Sequence, residues 1–437
     1  MLEDKRVIVL IVNHNGGQYI ERALQSMISQ SHKNLAIYVY DNASTDGSVE
    51  MIKKYPAVRL VRGRTNLGFA AANNRLLRLV HSKERPDYVA LANNDMYVDR
   101  DWVKRMLETA TAFPAIGIVA PRIYFYKKFI PLKIEIPVFV PRKEEKSTDN
   151  RRLGIKVDVR SVIPRGQQYQ KCFWSGSFYS EEHDPITFRW TSEQGLVYVP
   201  VDDEDAEFHI LVNSRIARPR LLRIRVGDWL ALETEVSGKE WVSLPFIVPR
   251  QVIAKASTNI INNAGSEIMM ESGYGKDIGF GTPDGEFFDQ SRNVAAFCGA
   301  AALLKSSMMK DVGGFAENFQ SYYEDTDLSW RATRKGWLAV YCPSAICFHA
   351  HATGFTEYSD RFILLTERNR LLMLWRNGQI HHAFLELVGY CVFVLLCLYR
   401  SYVRHEPQNV HHPRTRLMAV LSFLRRFPNN FKSYPVA

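Results

Sequence analysis

Cysteine is scarce in this chain, six in 437 residues, and no two stand in CxxC spacing. Cys172, Cys298, Cys342, Cys347, Cys391 and Cys397 are scattered, which argues against a disulfide framework or a structural zinc and fits a reducing compartment. An export signal is also missing. Met-Leu-Glu-Asp-Lys-Arg enters a strand at once, with no basic n-region, long apolar h-region or small-residue cleavage site, so a cytoplasmic chain is expected. Zinc-finger spacing, a helix-turn-helix signature and RNP-like strands are absent too, and the net charge of +10 therefore gives no reason to expect nucleic acid. Acidic residues are sparse after Tyr399, where Arg400, Arg404, Arg414, Arg416, Arg425, Arg426 and Lys432 face only Glu406. Just before them, Ala383 to Tyr399 is apolar apart from Glu386, and about 17 residues is the short limit for spanning a bilayer. Two outcomes stay open: peripheral contact with the cytoplasmic face of the inner membrane, or a buried C-terminal helix.

What is present is ample apolar sequence, 46% of the chain, enough for two or three units. From Val7 to about Tyr124 strand and helix alternate. Strands are expected over Val7–Val12, Ile37–Tyr40, Val58–Arg62 and Tyr88–Ala92; helices over Gln18–Ser29, after Asp46, over Ala70–Val80 and over Asp101–Ala112. Alternation with short polar turns predicts a mainly parallel sheet with helices on both faces, whose ligand groups sit at strand C-termini. Two such ends are rich in acceptors: Asn13-His14-Asn15-Gly16 after the first strand, and Asp41-Asn42-Ala43-Ser44-Thr45-Asp46-Gly47-Ser48 after the second. Together they outline a nucleotide pocket.

After Tyr124 no helical period of useful length remains. Lys133–Val140, Gly154–Ile163, 186–190, Leu196–Val201, Glu207–Asn213, Leu221–Val226, Trp229–Val236 and Trp241–Val248 read as short strands, with an exposed loop over Lys143–Arg152. That spacing predicts an inserted β-sandwich or jelly-roll-like module. Its Trp174, Trp190, Trp229 and Trp241 read as sandwich core, although exposed rings of this kind also stack on sugars. The expected division is 1–125 with 257–375 as a split α/β domain, 126–256 as the β-rich module and 376–437 as a helical, basic C-terminal region, with Asp360–Arg376 helical.

Four stretches carry a resemblance: DNASTDGS from Asp41, NLGFAAANN from Asn66 to Asn74, NND from Asn93 to Asp95, and GGFAENFQSYYEDTDLSWR from Gly313 to Arg331. In that order they resemble family 2 glycosyltransferases, inverting enzymes of the GT-A fold, and most closely the rhamnosyltransferase-like branch. The resemblance covers roughly residues 5–125 and 290–355. It implies a nucleotide diphosphate-sugar donor, dTDP- or UDP-linked, carrying rhamnose or another hexose, and a polysaccharide or lipid-linked glycan acceptor. A divalent metal, Mn2+ or Mg2+, is implied with it.

On that resemblance Asp41 accepts the imide N–H of a uracil or thymine ring, where an isolated Asp would be an Asx turn or helix cap. Asn13, Asn15, Asn42 and Asp46 are further donor-site candidates, as are Asn66, Gly68 and Asn73, with Asn74 beside them. Gly68 would let the backbone approach a ligand. Asn93-Asn94-Asp95 stands where the family usually has DxD, so a single carboxylate, Asp95, is left to hold the metal, and the diphosphate must supply most of the coordination. Asp99 and Asp101 read as helix caps. His349 in Cys347-Phe348-His349-Ala350-His351 is the implied second ligand, ahead of His351, after a strand Leu338–Tyr341 and a Pro turn. By the EDxD pattern Asp325 takes the proton from the acceptor hydroxyl, with Glu324 and Asp327 orienting it or the acceptor; an acidic neighbour raises the pKa of such a base. The same carboxylates also suit a helix N-terminus.

Two rival readings fit the sequence less well. A sugar-1-phosphate nucleotidylyltransferase needs a basic, Gly-rich loop after the first strand, and Asn13-His14-Asn15-Gly16-Gly17 has no Lys or Arg. A non-catalytic glycan-binding protein acting through the β module has no use for the acidic motif residues that this chain keeps.

Overall fold

The computed structural model describes residues 2–144, 147–167, 171–184, 186–350, 359–405, 412–427, 432 and 434–436. Its contacts divide the chain into two units: Met1–Tyr126 with Ile261–Phe280 and Gly285–Ala437, and Lys127–Ile260 with Gly281–Asp284.

The first unit is built on a mixed, mainly parallel sheet. Its first elements are β1 (Val7–Asn13), α1 (Ile20–Ile28), β2 (Leu35–Asp41), α2 (Ser48–Lys53), β3 (Val58–Arg62), α3 (Phe69–Lys83), β4 (Tyr88–Asn93), β5 (Met96–Val98), α4 (Trp102–Ala112) and β6 (Ile116–Phe125). β1 lies parallel between β2 and β4, and β2 parallel to β3. Side chains Val7 to Ile11 are at most 1% exposed, as a strand covered by helices on both faces requires. In α1, Ile20, Ala23, Leu24 and Met27 are buried at helical spacing.

Register decides where the polar strand ends meet. Asn13 pairs with Asp41, and Val12 with Asn93, so three neighbouring strands finish together. The strand Ala301–Lys305 then inserts antiparallel between β4 and β6, with Ala301 opposite Ala92. Running backwards, it delivers residues 298–300 to that same edge. The strand Leu338–His349 lies parallel to β6. It was expected to stop at Tyr341 before a Pro turn; instead it continues past Pro343 with a register break between Cys342 and Ile346. A bulge takes up the missing N–H of Pro343, and His349 becomes the end of the strand.

The second unit consists of two antiparallel sheets of five strands. One holds Glu182–His183, Thr187–Trp190, Lys156–Asp158, Ala206–Asn213 and Val242–Val248; the other holds Trp229–Val236, Arg220–Val226, Lys128–Glu135, Gln194–Val201 and Phe173–Trp174. Leu132, Ile134, Val197, Val199 and Ile224 of one share a core with Val157, Phe208, Ile210 and Phe246 of the other, the alternating burial of a sandwich. Two expected strands shift. Lys133–Val140 proves to be Lys128–Glu135, because buried Phe129, Ile130 and Leu132 outweigh the Lys pair and Pro131 around them. Gly154–Ile163 keeps only Lys156–Asp158, because the Asp158 carboxylate accepts the amides of Arg160 and Ser161 and turns the chain. Trp190 is buried, whereas Trp174 and Trp229 are partly buried against the core. The loop region from Lys143 opens on one helical turn, Pro141–Glu144.

The C-terminal helices Asp360–Arg376, Ile380–Leu398 and Pro413–Arg426 belong to the first unit. The last falls in the stretch expected to be helical and basic, and it packs inward through Ala419, Val420 and Phe423.

Candidate active site

Asn13, at the end of β1, organises the sheet edge. Its Nδ2 donates to Ser48 Oγ at 2.8 Å, Ser44 Oγ at 3.0 Å and Asp41 Oδ1 at 3.3 Å, while its Oδ1 accepts from Asn94 Nδ2 at 2.9 Å. Asn13 is 0% and Asp41 1% exposed, so side chains rather than water satisfy these groups. At Gly16 a Cβ would lie 2.2 Å from Asn94 Nδ2 and 2.5 Å from Asn13 Oδ1, so a larger residue would push this pair apart. Asn15 Oδ1 accepts from Thr45 N at 2.9 Å, and Asp46 Oδ2 from Gly17 N at 2.7 Å, tying the turn after β1 to the turn after β2. Burial alone would raise the Asp46 pKa, but the Ser48 hydroxyl and the Gly17 and Ser48 amides hold it below the usual value.

Asn42 joins the next turn to this edge. Its Nδ2 donates to Asn66 Oδ1 at 2.9 Å, and its Oδ1 accepts from Leu67 N at 2.7 Å. Gly68, at φ +80°, serves a close backbone approach: a Cβ would come within 3.0 Å of the Gln320 carbonyl oxygen. Asn73 turns back on its own helix and donates to Phe69 O at 3.1 Å. Asn74 instead reaches Phe315, donating to its carbonyl at 2.8 Å and accepting from its amide at 2.9 Å.

Asp95 and His349 meet although 254 positions separate them in sequence: His349 Nε2 lies 3.2 Å from Asp95 Oδ1, both nearly buried. The Asn93 amide nitrogen is 3.4 Å from the same Nε2. On its other side His349 Nδ1 lies 3.3 Å from Asn262 Oδ1. A proton on Nδ1, given to Asn262, leaves the Nε2 lone pair directed at Asp95. One carboxylate and one imidazole fit two positions of a divalent cation; among the described residues no group of three or more His, Cys, Asp or Glu adds further ligands. His351 lies outside the described residues. Asp101 stands at the N-cap of α4 without a capping bond, so the expected cap is positional only.

The acidic stretch opens the helix Glu324–Arg334, and its carboxylates separate by helical position. Asp325 Oδ2 accepts from Gly299 N at 2.7 Å and Oδ1 from Thr326 N at 2.7 Å. Burial raises its pKa above the usual carboxylate value, Asp277 adds to the rise, and the Gly299 and Thr326 bonds moderate it. Glu324 is 5% exposed, with Oε2 unpartnered, and burial followed by the Asp325 charge pushes its pKa well above the usual range. Asp327 does not join them. It is fully buried on another face of the helix, where Arg331 Nε lies at 2.8 Å, Asn377 Nδ2 at 3.0 Å and Arg376 Nε at 3.3 Å. Its ion pairs tie it to the fold: it lies two positions from Asp325 and so on a different face, although its charge adds to the rise in the Glu324 pKa from one turn away.

The loop before this helix is held in an uncommon conformation, Gln320, Tyr322 and Tyr323 lying at φ 69°, 69° and 70°. Such strain persists where surroundings impose it. Asn369, fully buried, donates to the carbonyls of Phe319, Ser321 and Tyr322 at 2.8 to 3.0 Å, and Arg368 Nη2 also bonds Phe319 O. Sequence reasoning missed Asn369, Asn262, Gly299 and Asp277. The Gly-rich stretch 273–285 gave a weak signal for Asp277 and none for the others.

The link between the two halves is one peptide segment. Ala300 O accepts from Asn93 N at 2.9 Å, and the adjoining Gly299 N donates to Asp325. A family profile described as Glycosyl transferase family 2 matches residues 8–166, and a second, Glycosyl transferase family group 2, matches residues 266–400. The chain belongs to glycosyltransferase family 2. Its α/β unit, a mixed, mainly parallel sheet in which Ala301–Lys305 inserts antiparallel and short antiparallel strands lie at the margin, is the GT-A-type arrangement that the motifs implied. This glycosyltransferase is 29% identical over 379 residues to the N-acetylglucosaminyl-diphospho-decaprenol L-rhamnosyltransferase of Mycobacterium tuberculosis, covering 83% of this chain and 84% of that one. It is 32% identical over 113 residues to the Bacillus subtilis protein named putative glycosyltransferase EpsE, covering 25% and 38%. Among solved structures, GalNAc-T7 with UDP, GalNAc and Mn2+ is similar at a TM-score of 0.45 and 11% identity, over 85% of this chain and 47% of that one.

Proposed function

We propose that this glycosyltransferase is an inverting enzyme that moves rhamnose or a related hexose from a dTDP- or UDP-linked donor to a lipid-linked or polysaccharide glycan. The observation that carries the reading is the Gly299–Ala300 segment, which joins the end of β4 to Asp325 and so sets the proton acceptor beside the strand end that bears Asp95. Asp41 and the Asn13 network would take the base and ribose. Asp95 and His349 would hold Mn2+ or Mg2+, which, when bound, neutralises charge on the departing diphosphate. The acceptor oxygen attacks the anomeric carbon from the face opposite the nucleotide as the bond to the diphosphate oxygen breaks, and Asp325 takes the hydroxyl proton. A raised Asp325 pKa makes that transfer less uphill near neutral pH. Rhamnose and a lipid-linked acceptor are preferred because the mycobacterial relative is named for both.

A cytoplasmic location with contact at a membrane face is part of the same reading. The helix Ile380–Leu398 continues to Val403, and the most apolar 18 residues of these 24 have a mean hydropathy of 1.9. Ala383, Tyr390, Val394 and Cys397 pack inward, while Phe384, Leu385, Val388, Val392, Leu395 and Leu396 are 47–65% exposed. One packed stripe and one bare stripe suit a helix lying in the interface better than one crossing it, with Arg400, Arg404 and Arg414 close by for anionic headgroups. The deciding experiment is a thermal-shift screen of dTDP-rhamnose, UDP-sugars and GDP-mannose with and without Mn2+, followed by transfer to a polyprenyl-diphosphate sugar. One donor should raise the melting temperature only with metal and support transfer. If none does either, the reading fails.

A further inference from the structure

Asp325 stands second in the helix Glu324–Arg334, so the way the chain enters that helix sets where its carboxylate points. The entry is strained. Gln320 lies at φ 69° and ψ −68°, and Ser321 N donates to Phe319 O at 2.9 Å, which closes a γ-turn of the rarer hand. Tyr322 and Tyr323 follow at φ 69° and 70°, and Tyr323, at the N-cap, offers the helix no side-chain cap. Left-handed backbone at three non-glycine residues so close together needs an outside hold.

The hold comes from the helix Asp360–Arg376. Asn369 Nδ2 spreads its two N–H groups over three carbonyls, Phe319 at 3.0 Å, Ser321 at 2.8 Å and Tyr322 at 2.8 Å. Arg368 fixes which way that amide faces, since its Nε donates to Asn369 Oδ1 at 2.8 Å while its Nη2 donates to Phe319 O at 2.8 Å. Arg368 is 1% exposed and makes no ion pair among the described residues; burial, and then the Arg426 charge, push its pKa down to about 9. A buried guanidinium without a carboxylate costs stability, and these bonds are what it does in return. The stretches on either side are fastened separately. Gln320 O accepts from Ala70 N at 3.1 Å on the donor side, and Asp327 is bonded to Arg331 and Asn377 further into the helix. Asn369 therefore bears on the stretch between them, the one that leads directly to Asp325.

We propose that Asn369 is a positioning residue for transfer: by holding the carbonyls of Phe319, Ser321 and Tyr322 it keeps the entry to the helix in the one conformation that presents Asp325 to Gly299 N and to the acceptor hydroxyl. The proposal rests on the reading of Asp325 as proton acceptor. It adds a residue that touches neither donor nor acceptor and acts only through the loop.

The test uses Asn369→Asp in the full chain. Aspartate keeps the shape and gives Arg368 an anion, but it takes away both N–H donors, so the melting temperature should stay level or rise while the loop is released. With dTDP-rhamnose, Mn2+ and a polyprenyl-diphosphate N-acetylglucosamine acceptor, kcat should fall about ten- to hundred-fold, as a misplaced reacting group requires. KM for dTDP-rhamnose should stay within about two-fold, because the donor-side bonds are untouched. Hydrogen–deuterium exchange should quicken in the peptides that carry 320–327 and Gly299. Asn369→Ala, read in the same way, decides the matter should Asn369→Asp fail to fold. Val420→Ala, in the core shared by the C-terminal helices, has no bond to the loop and should keep the native kcat. Native kcat in a folded Asn369 variant, an equal loss in Val420→Ala, a donor KM that rises in step, unchanged exchange over 320–327, or collapse of both Asn369 variants overturns the proposal. If the native chain transfers nothing, the catalytic reading falls on its own, and the exchange data still decide whether Asn369 holds Asp325 in place.

Discussion

In the α/β unit the sheet edge buries Asn13, Asp41, Asn42 and Asp95, none more than 4% exposed, and Asn13, Asp41, Asn42 and Asn94 are linked largely to other side chains. The β unit buries polar groups differently. Arg220 donates to the carbonyls of Pro137 and Ser214, and Asp158 accepts backbone amides, so both close turns. Side chains bonded to one another can exchange those partners for a ligand, whereas side chains that satisfy the backbone cannot leave without unfolding a turn. The contrast separates a surface built for binding from a scaffold.

Substitutions can break this comparison. The largest effect belongs to Asp325→Asn, which should lower transfer by about 10²–10⁴-fold. Nucleotide-sugar binding, followed by thermal shift, should survive; transfer at the native rate would remove Asp325 from its role. Asp327→Ala acts on the fold instead. It removes a fully buried carboxylate from the half-buried Arg331 and Arg376, and should cost about 3–5 kcal/mol in denaturant unfolding. If Asp327→Ala leaves stability intact while abolishing transfer, the assignment of these two carboxylates is reversed. In the sandwich, Phe208→Ala opens a core cavity at a cost of about 3–5 kcal/mol. Its donor binding should be unchanged in a titration at low temperature, since no network residue is touched.

Smallest is Glu324→Gln, and its sign depends on pH. The folded pKa lies above the 4.5 of an unburied Glu, so the folded state keeps a proton that the unfolded chain has released. Below 4.5 both states are protonated and the carboxyl costs nothing; as pH rises toward the folded value, stability falls. Glutamine should therefore raise the melting temperature at pH 7 and leave it unchanged near pH 4. A gain that is equal at both pH values would contradict a raised Glu324.

Much of the α/β unit was legible because its signals are local. Apolar runs stop at Asn13, Asp41 and Asn93, and each stop is a strand end in the sheet. The β unit was legible as a class but not strand by strand, since turns such as that at Asp158 depend on a side chain choosing the backbone over the ladder. The final helix was legible as part of a helical, basic C-terminal region, but its bounds were not. Gly68 illustrates a third kind of limit: the need for a glycine could be read, but its neighbour, the Gln320 backbone, could not.

By itself, then, the order of residues determined the alternation of strand and helix, the β-rich insertion and the polar strand ends, because period and turn chemistry act over a few positions. Tertiary structure alone decided that Asn262 orients His349, that Gly299 holds Asp325, and that Asp327 serves the fold. Those pairings span tens of residues, and only the register of packed strands and helices brings their side chains within bonding distance.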